Sequence, residues 1–558
     1  MLVAYPVWFL RLVGWWLRSA WRRLRRPPTY VSFLIEAPPP EPATLPPPFW
    51  QRFLGRPPLS VQALVAQLRR VTAEPRVKGV VLHLRPLALT QGQVGALRDL
   101  IDEVRASEVR VICWAPSYTA ATYQVACAAH EVLMQPGGMI APLGIAREYL
   151  FLAEALESVG LKADLLQVSP YKSAGDILTR REFSPEAREM AEWLADSTFA
   201  DTVAAVAAGR GQDEPAARAL VEASPFTDEQ ALAAGAVDAV LAEEALPARL
   251  GGEVASWGAA RRRLPSQRPA RPGRMVGMLR IEGLIVDGRS RRAPLRPPMG
   301  LPLLLQDQCG DLTVVEQARA LATDRRVGAV VVWVDSSGGS ASASEAIAAA
   351  LSGLARRKPV VAVMGAVAGS GGYYVTTPAQ KVLAHPGTIT GSIGVVAGKL
   401  VTAGLMERLL LHREHVTRGQ HSAMWSSDQA FSDVERGKLG ELVDRSYRLF
   451  LERVAAARGR SVAEVQPVAG GRVWTGRQAL EHGLVDELGG LDRGIAAARR
   501  LGGLPASAPV YERRRGRREL EPVRTTAAAV LEHGLRALAA LNQAGVWWLC
   551  PILSRGGS

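Results

Sequence analysis

The chain has 558 residues, of which 48% are apolar, 22% charged and 6% aromatic, and its formal net charge is +14. This balance is typical of a globular protein and excludes wholesale disorder or a fibrous repeat, and the length allows about two to four domains. The four cysteines form no CxxC pair, so neither a disulfide framework nor a zinc ribbon is indicated.

Residues 1–26 are rich in tryptophan and end in a cluster of arginines. On a helix, Arg11, Arg18, Arg22 and Arg25 share one face, opposite Trp, Phe and Leu side chains. The charged residues follow the apolar stretch, which is the reverse of the order in a secretory signal peptide. No apolar run in the chain reaches the roughly 18 residues of a clear membrane span. The pattern predicts an amphipathic helix in the membrane interface; a helix that packs on protein with a solvated basic face is the alternative.

The two halves of the chain repeat each other. Four blocks recur in the same order, two at an offset of 250 residues and two at 248. The pairs are Arg76–Val81 with Arg326–Val331, Val132–Gly137 with Val382–Gly387, Phe183–Ser184 with Phe431–Ser432, and Thr227–Asp238 with Thr475–Asp486. A period of this length indicates two whole domains rather than a solenoid.

The duplication and the composition together predict the domain limits. We expect a first repeat over residues 27–255, a linker over 256–274, a second repeat over 275–510 and a basic helical tail over 511–558, with its helix at 524–541. The linker contains six arginines and three prolines and few apolar residues, which is typical of a solvated connection. Its arginine runs lack interleaved aromatic residues, so we expect no nucleic-acid partner.

Short β-branched runs alternate with Ala/Leu/Arg-rich helical segments in each half, which predicts an α/β fold with parallel strands. In the second half, Ala329–Val334 is a continuous apolar run, as in a strand buried on both faces. Residues 341–356 are predicted to form a helix, and Pro359–Met364 the next strand.

Two glycine-rich turns follow these predicted strands. Gly338 and Gly339 precede the helix, where backbone N–H groups can approach a ligand closely, as an oxyanion hole requires. Ser370 follows the next strand, with a glycine on each side, at a junction that places its hydroxyl beside a helix N-terminus. Gly-Ser-Gly alone is a common turn, and Ala368 departs from the G-x-S-x-G pattern.

The two halves have lost complementary residues. Ser370 corresponds to Ala120 in the first half, and the glycine pair corresponds to Ala88-Leu89, whereas Lys172 corresponds to Gln420 in the second half. Only seven of the 67 basic residues are lysines, and a desolvated lysine can accept a proton whereas arginine does not deprotonate. We therefore predict one composite site, with a lysine from the first half and a serine from the second.

Four motifs surround these residues. They are Tyr171-Lys172-Ser173-Ala174, Ser337-Gly338-Gly339-Ser340, Ala368-Gly369-Ser370-Gly371-Gly372-Tyr373 and Thr390-Gly391-Ser392-Ile393-Gly394. Together they resemble the signal peptide peptidase A family (protease IV) in its long, tandem-repeat form, over roughly residues 30–505. The resemblance implies two tandem crotonase/Clp-like domains in one chain. The chain departs from the family in having Ser337 where proline is common, and a Trp/Arg helix in place of an obvious N-terminal span.

The resemblance also implies a Ser-Lys dyad. Ser370 would attack a peptide carbonyl while neutral Lys172 accepts its proton, Gly371 and the Gly338-Gly339 pair would hold the oxyanion, and Ser392 would orient the lysine amine. A neutral lysine requires burial, so we expect an apolar groove that suits apolar peptides. No metal or organic cofactor is needed.

The biological setting follows from the same resemblance. The expected substrates are cleaved signal peptides and other apolar peptides, and the expected partners are a membrane surface and further copies of the chain in a ring-like homo-oligomer. The expected location is the bacterial inner (cytoplasmic) membrane, with the catalytic body on its extracytoplasmic face.

Other functions stay open at this point. His385 is available for a Clp-type Ser-His-Asp peptidase. The glycine loops and Gly483–Asp486 suit a crotonase-fold acyl-CoA enzyme, which would not need Lys172. A membrane scaffold whose peptidase site has decayed is a third alternative. A metal site is a further alternative, with His412, His415 and His421 as its candidate ligands. These histidines lack a fourth ligand and the spacing that is typical of metal sites.

Overall fold

The structure is a computed structural model that describes residues 4–23, 25–43, 59–265, 273–292, 306–512 and 546–549. In the first half of the chain, strands and helices alternate as expected. The elements are α1 (Ala4–Arg23), β1 (Tyr30–Ile35), α2 (Val61–Thr72), β2 (Gly79–Leu84), α3 (Gln91–Arg105), β3 (Arg110–Ala115), α4 (Ala120–Ala126), β4 (Glu131–Met134), β5 (Met139–Ile140), α5 (Ala153–Ser158), β6 (Lys162–Gln167), α6 (Asp176–Thr179), α7 (Pro185–Arg210), α8 (Glu214–Ala223), β7 (Phe226–Thr227), α9 (Asp228–Ala233), β8 (Ala239–Val240), α10 (Leu246–Leu250), β9 (Val254–Ser256) and α11 (Trp257–Ala260).

The second half continues the alternation. Its elements are β10 (Met275–Glu282), β11 (Leu284–Val286), β12 (Gln308–Gly310), α12 (Asp311–Thr323), β13 (Val327–Ser336), β14 (Gly338–Ser340), α13 (Ala341–Ala355), β15 (Val360–Gly369), α14 (Gly371–Tyr374), β16 (Lys381–Ala384), β17 (Ile389–Gly391), β18 (Val396–Val401), α15 (Ala403–Arg408), α16 (Asp433–Arg458), α17 (Val462–Val465), β19 (Val473–Thr475), α18 (Gly476–Glu481), β20 (Glu487–Leu488), α19 (Leu491–Leu501), β21 (Val510–Glu512) and β22 (Val546–Leu549). The strands predicted at 329–334 and 359–364 lie in β13 and β15, and the helix predicted at 341–356 is α13.

Each half builds a sheet of its own, which is parallel throughout in the first half and parallel except for the antiparallel β17–β19 pair in the second. The first sheet has the strand order β8-β4-β3-β2-β1-β9, and all of its neighbours are parallel. The second has the order β19-β17-β15-β13-β10-β21, with β16 and β20 continuing from β15. All six residues of β2 and the first eight of β13 are buried, because helices cover both faces of a parallel sheet.

The duplication is visible in corresponding helices. Helices α7 and α16 have 26 residues each, begin after the N-cap serines Ser184 and Ser432, and end at the left-handed glycines Gly211 and Gly459. Each serine hydroxyl accepts a hydrogen bond from the backbone N–H three residues later, which satisfies a helix donor that would otherwise be unpaired. The α/β class and the two tandem repeats are confirmed.

A third sheet combines strands from both halves. Its order is β12-β11-β14-β22-β18-β6, and β6 is the member from the first half. Strands β6 and β18 are antiparallel, with Lys162 opposite Val401 and Gln167 opposite Val396. This sheet fixes the chain that follows β6 against the second half.

The predicted domain limits stay a prediction. Part of the proposed linker packs on the first sheet: Ala260 and Leu264 are fully buried in its core, and Trp257 packs against that core. Residues 266–272 and the tail helix predicted at 524–541 lie outside the described residues. The described parts of the tail are strands: residues 511 and 512 end β21, and Val546–Leu549 form β22.

The N-terminal segment is a helix with apolar side chains in solvent. Helix α1 exposes Phe9, Leu10, Val13, Trp16 and Leu17. The side chains of Arg11, Arg18 and Arg22, on the predicted basic face, lie outside those that the structure describes. Within the described ranges, no helix has both the length and the apolar character needed to cross a membrane.

Candidate active site

Ser370 lies at the turn between β15 and α14, where it is fully buried. Its backbone has φ 55° and ψ −116°, a conformation that costs a non-glycine residue about 1–3 kcal/mol and that the surroundings must hold in place. The Ser370 N–H donates to the carbonyl of Gly391 at 2.8 Å. Gly372 lets the turn approach β13, because a β-carbon there would lie 2.4 Å from the carbonyl oxygen of Ser336.

Lys172 reaches this turn from the first half of the chain. It follows β6 on a short loop and is fully buried. Its Nζ lies 2.8 Å from Ser370 Oγ, 2.9 Å from Ser392 Oγ and 2.9 Å from the Ser392 carbonyl oxygen. The structure therefore brings together the predicted lysine and both predicted serines, and these three oxygens are uncharged.

Ser392 also lies in a strained turn. Its φ is 51°, next to Gly391 with φ 80°, and its N–H donates to the carbonyl of Arg472 at 2.6 Å. This turn directs both the hydroxyl and the carbonyl of Ser392 at the Nζ of Lys172. Backbone strain of this kind persists only where neighbouring contacts determine the conformation.

The three predicted oxyanion glycines converge beside Ser370. A β-carbon on Gly371 would lie 3.2 Å from the Cα of Gly338 and 3.3 Å from the nitrogen of Gly339. Gly338 has φ 103°, and its N–H donates to the hydroxyl of Ser336 at 3.1 Å. A β-carbon on Gly339 would lie 2.0 Å from a backbone carbonyl oxygen, so this close approach requires glycine.

Two glycines that the sequence analysis did not single out make room for Lys172. Gly471 has φ 91°, and a β-carbon there would lie 2.5 Å from the Cα of Lys172. A β-carbon on Gly394 would lie 3.2 Å from the Cδ of Lys172. The adjacent pair Gly470-Gly471 is visible in the sequence and is the signal that could have indicated a close approach.

An aromatic stack, also missed from the sequence, joins the two halves next to Lys172. The guanidinium of Arg472 lies 3.9 Å from the ring centroid of Tyr171, and this ring stacks on Trp193 at 6.2 Å. Trp193 stacks in turn on Trp474 at 4.9 Å and donates its indole N–H to the carbonyl of Val473 at 2.8 Å. These contacts fix helix α7 and the Lys172 loop on the second half.

His385 lies in a different environment. It is fully buried after β16, with Nε2 at 3.2 Å from Glu41 Oε1 and Nδ1 at 3.8 Å from Asp99 Oδ2. Burial lowers the pKa of His385, but the charges of Glu41 and Asp99 and the hydrogen bond to Glu41 outweigh it, so the pKa is raised. The basic group next to the Ser370 hydroxyl is Lys172.

Of the three histidines considered as metal ligands, His415 makes an ion-pair contact instead. His415 pairs with Asp428, which also binds Arg413. In the part of the chain that the structure describes, no three His, Cys, Asp or Glu side chains are grouped to hold a metal ion.

Comparison with known families supports the duplication. The sequence model of Peptidase family S49 matches the chain twice, at residues 103–254 and 353–504. The two matches are offset by 250 residues, the offset of the first two repeated blocks. Together they cover more than half of the chain.

Individual proteins are similar over most of the chain. The serine protease SPPA of the chloroplast of Arabidopsis thaliana is 28% identical over 474 residues, which are 81% of this chain and 67% of that protein. Protease 4 of Salmonella typhi is 28% identical over 460 residues, 78% of this chain and 71% of the relative. Among solved structures, a point mutant of ClpP1 from Listeria monocytogenes aligns with 39% of this chain and 94% of its own, at 15% identity and a TM-score of 0.24.

Proposed function

The chain belongs to peptidase family S49 and is a serine peptidase, and we propose that Ser370 is its nucleophile and Lys172 its general base. The observation that carries the proposal is the 2.8 Å distance between Lys172 Nζ and Ser370 Oγ, two fully buried atoms 198 residues apart in the sequence. A nucleophile and a base within hydrogen-bond reach, with the base oriented by a third group, are the arrangement that nucleophilic catalysis requires. Ser392 is the third group here.

The proposed reaction is acyl transfer through a covalent intermediate. The Ser370 oxygen forms a bond to the peptide carbonyl carbon while its proton passes to the lysine nitrogen. The carbon–nitrogen bond of the peptide then breaks, and the same proton passes to the leaving amine. In the second half of the reaction, water attacks the acyl group, and the lysine nitrogen again accepts a proton and returns it to Ser370.

We assign the oxyanion hole to backbone N–H groups of the converging glycines. Gly371 follows the nucleophile at the start of α14, and Gly339 lies next to it. The Gly338 N–H is already directed at the hydroxyl of Ser336. We therefore propose Gly371 and Gly339 as the principal donors, with Gly338 holding the loop in shape through Ser336.

The proposed substrates are apolar peptides, including cleaved signal peptides. Support comes from an apolar cluster of the third sheet, in which Leu284, Val286 and Val396 are buried and Leu165 packs against them. These residues come from β11, β18 and β6, the strands on either side of the candidate site. Apolar side chains in the strands next to the site favour an apolar chain over a charged one there.

The proposed setting is a membrane surface. The exposed apolar side chains of α1 include Leu10 and Trp16, which are 70% and 65% exposed. A helix with one apolar face open to solvent suits insertion into the lipid headgroup region. Bacterial inner-membrane location, with the site on the extracytoplasmic side, and a ring-like homo-oligomer complete the proposal, on the resemblance stated above.

Hydrolysis of an apolar fluorogenic peptide by the full chain tests the dyad. We expect Ser370→Ala, Lys172→Ala and Lys172→Arg each to lower kcat by a factor of at least about 10². Lys172→Arg is the sharpest variant, because it keeps a cation and removes the base. Lys358→Arg is the matched control, since the Nζ of Lys358 also bonds backbone carbonyls, those of Leu321 and Asp324, away from the site.

Thermal unfolding of each variant separates loss of chemistry from loss of fold. If Ser370→Ala is inactive while both Lys172 variants keep their activity and fold, another group is the base and the dyad is wrong. If Ser370→Ala turns the peptide over as fast as the wild type, Ser370 is not the nucleophile.

A further inference from the structure

A cavity of about 350 Å³ lies between the two halves of the chain, and the residues that line it are not those of the proposed dyad. Helices α2 and α3 form its wall in the first half, and His385 and the start of α19 form its wall in the second. Its volume is in the range of small-molecule sites, about 300–1,000 Å³. Asp99 and Arg493 in its wall are 36% and 57% exposed, so a ligand can enter from solvent.

The cavity has an excess of negative charge. Five carboxylates line it, against one arginine, Arg493; they belong to Glu41, Asp99, Asp102, Glu103 and Asp492. A second arginine, Arg69, bonds two of the five, Glu103 and Asp492. The excess is therefore three negative charges while His385 is neutral and two when it is protonated. A cavity of this charge concentrates cations.

Two of the carboxylates have no hydrogen-bond donor. Within the described ranges, the Asp102 carboxylate makes neither a hydrogen bond nor an ion pair. Asp99 has only contacts that are longer than hydrogen bonds, 3.8 Å to Nδ1 of His385 and 3.9 Å to a guanidinium nitrogen of Arg493. Burial raises the pKa of Asp99 by more than the charges of His385 and Arg493 lower it. A further cation beside Asp99 would therefore stabilise its ionised form.

His385 presents an unpaired nitrogen at the same place. Its side chain is fully buried, and its Nδ1 has no hydrogen-bond partner in the part of the chain that the structure describes. The other ring nitrogen, Nε2, faces Glu41 Oε1 at 3.2 Å. A ring that donates from Nε2 to Glu41 has a lone pair at Nδ1, next to Asp99. Because buried polar atoms are nearly always paired, this nitrogen indicates that a donor group of a ligand fits here.

We propose that the cavity binds a small aliphatic diamine in its dicationic form. One ammonium group has three N–H bonds, which suit three acceptors: the carboxylates of Asp99 and Asp102 and the Nδ1 of His385. Asp99 and Asp102 lie three residues apart on α3, so they share one face of this helix. The second ammonium group lies among the remaining carboxylates of the cavity.

The apolar part of the lining favours an alkyl amine over a metal ion. Val61, Val65 and Leu100 line the cavity together with the carboxylates, and methylene groups can pack on them. A bound metal ion needs several oxygen or nitrogen ligands close together. Within the described residues, no three His, Cys, Asp or Glu side chains are grouped in this way.

A bound diamine would hold the two halves of the chain together. Its acceptors come from α3 in the first half and from His385 in the second. A ligand that binds the folded chain but not the unfolded chain raises the unfolding temperature as its concentration rises. The binding does not depend on peptidase activity, so it can be measured in a Ser370→Ala chain.

Calorimetric titration of the full chain with cadaverine tests the site. We expect Asp99→Asn and Asp102→Asn each to raise the Kd at least about tenfold, because each removes a charged acceptor and keeps the shape of the side chain. Asp196→Asn is the matched control, since Asp196 is an exposed aspartate on α7 outside the cavity, and its Kd should equal that of the wild type. Thermal unfolding without ligand shows that each variant is folded.

Three further compounds test which part of the ligand is recognised. We expect pentylamine, with one ammonium group, to bind about tenfold more weakly than cadaverine, and 1,5-pentanediol, with no charge, to give no heat. The third compound is Nα-acetyl-lysine methylamide, which carries the amine of a lysine side chain. If it binds as tightly as cadaverine, the ligand is a lysine of a partner protein and the diamine proposal is wrong.

The pH dependence of the affinity tests the role of His385. Glu41, Asp99 and Arg493 are the charged groups that face its ring, and the pKa of His385 is raised in spite of burial. Below that pKa both ring nitrogens carry a proton, and the diamine has to displace the one on Nδ1. We expect the Kd to rise at least about tenfold from about pH 8 to about pH 5.5, where both ammonium groups of cadaverine stay charged.

Three results would overturn the proposal. One is no heat and no rise in unfolding temperature with cadaverine up to about 10 mM, since its Kd would then exceed that of even weak specific binding. Another is an equal Kd in the wild type, Asp99→Asn and Asp102→Asn, because the diamine would then bind elsewhere on the acidic surface. The third is a Kd that does not change between about pH 8 and about pH 5.5, which would remove His385 from the acceptors.

Discussion

Gly471 lies against the backbone of Lys172 so closely that a β-carbon at position 471 would be 2.5 Å from the Cα of Lys172. Gly471 belongs to the second repeat, so the backbone of Lys172, the proposed base, packs directly against the other half of the chain. In Gly471→Ala, the methyl group has to displace the lysine loop. A shift of about 1 Å at a catalytic group lowers the rate about 10²-fold, so we expect kcat to fall by this factor in a folded protein.

Gly470→Ala is the control for this prediction. Gly470 also has a positive φ, 67°, but a β-carbon there would meet the side chain of Arg472 no closer than 3.3 Å. Both alanine variants therefore carry similar backbone strain, about 1–2 kcal/mol, and only one of them pushes on Lys172. Steady-state kinetics beside thermal unfolding distinguish them, and equal kcat values in the two variants would contradict the positioning role of Gly471.

Ser392→Ala is expected to weaken catalysis without abolishing it. The hydroxyl of Ser392 is one of three oxygens around the lysine nitrogen, and its carbonyl stays in place in the variant. A single hydrogen bond contributes about 0.5–1.5 kcal/mol, so we predict a fall in kcat of up to about tenfold with KM unchanged. Thr390→Val removes a neighbouring buried hydroxyl that bonds the carbonyl of Ala368 and should leave kcat near that of the wild type. A loss of about 10³-fold in Ser392→Ala would instead place this hydroxyl in the proton transfer itself.

The buried contact between His385 and Glu41 predicts a pH-dependent stability. Burial and the charge of Arg493 lower the pKa of His385. The charges of Glu41 and Asp99 raise it by more, so the pKa lies above its ordinary value of about 6.5. Because the folded state binds this proton more tightly than the unfolded state, the stabilisation is fully present below about pH 6.5. It is lost as the pH rises through the folded pKa.

Glu41→Gln tests this stabilisation. The amide keeps an oxygen for the backbone N–H of Leu491 but loses the charge that raises the pKa of His385. Below about pH 6.5, we expect the free energy of unfolding of the wild type to exceed that of the variant by about 1.4 kcal/mol for each pH unit by which the pKa is raised. This difference should shrink as the pH rises. Denaturant unfolding across pH measures it, with the exposed Glu222→Gln as control; a difference that grows with pH would refute the assignment.

A charged residue on the exposed apolar face of helix α1 should weaken binding to membranes. Leu17 is 58% exposed, and Leu17→Glu replaces an apolar side chain that would enter the headgroup region with an anion. We expect sedimentation with anionic vesicles to give about tenfold weaker partition, equivalent to about 1.4 kcal/mol. Leu312→Glu changes a comparably exposed leucine, 54%, on α12 and should bind vesicles like the wild type. Unchanged partition in Leu17→Glu would remove α1 from the membrane contact.

The repeats and their strands could be read from the sequence because both leave local patterns. The apolar run in β13 has the length and composition of a strand buried on both faces, and the Ser-capped starts of α7 and α16 recur at the repeat offset. The pairing of Lys172 with Ser370 could be inferred as well, because the loss of each residue in the opposite repeat is visible without coordinates.

The contacts that hold Lys172 could not be read in this way. Gly471, Arg472 and Trp193 act across the interface between the halves, and no periodicity or spacing links them to residue 172. Nor could the Gly338 N–H be assigned to the Ser336 hydroxyl, since that contact depends on the φ of 103° at Gly338. Nor does any local pattern in the sequence pair Val546–Leu549 with strands more than 140 residues earlier, and the helix predicted at 524–541 stays a prediction.

The third sheet has a consequence for the order in which a newly made chain acquires its active site. The first parallel sheet contains only residues up to Ser256, so it can form while the second half is still being synthesised. Lys172 can meet Ser370 only after 198 more residues have been made, and Ser392 only after 220. Gly471, which lies against the backbone of Lys172, is synthesised later still. A ribosome-bound chain can therefore carry a folded first repeat while the proposed active site stays unassembled until residue 471 has been made.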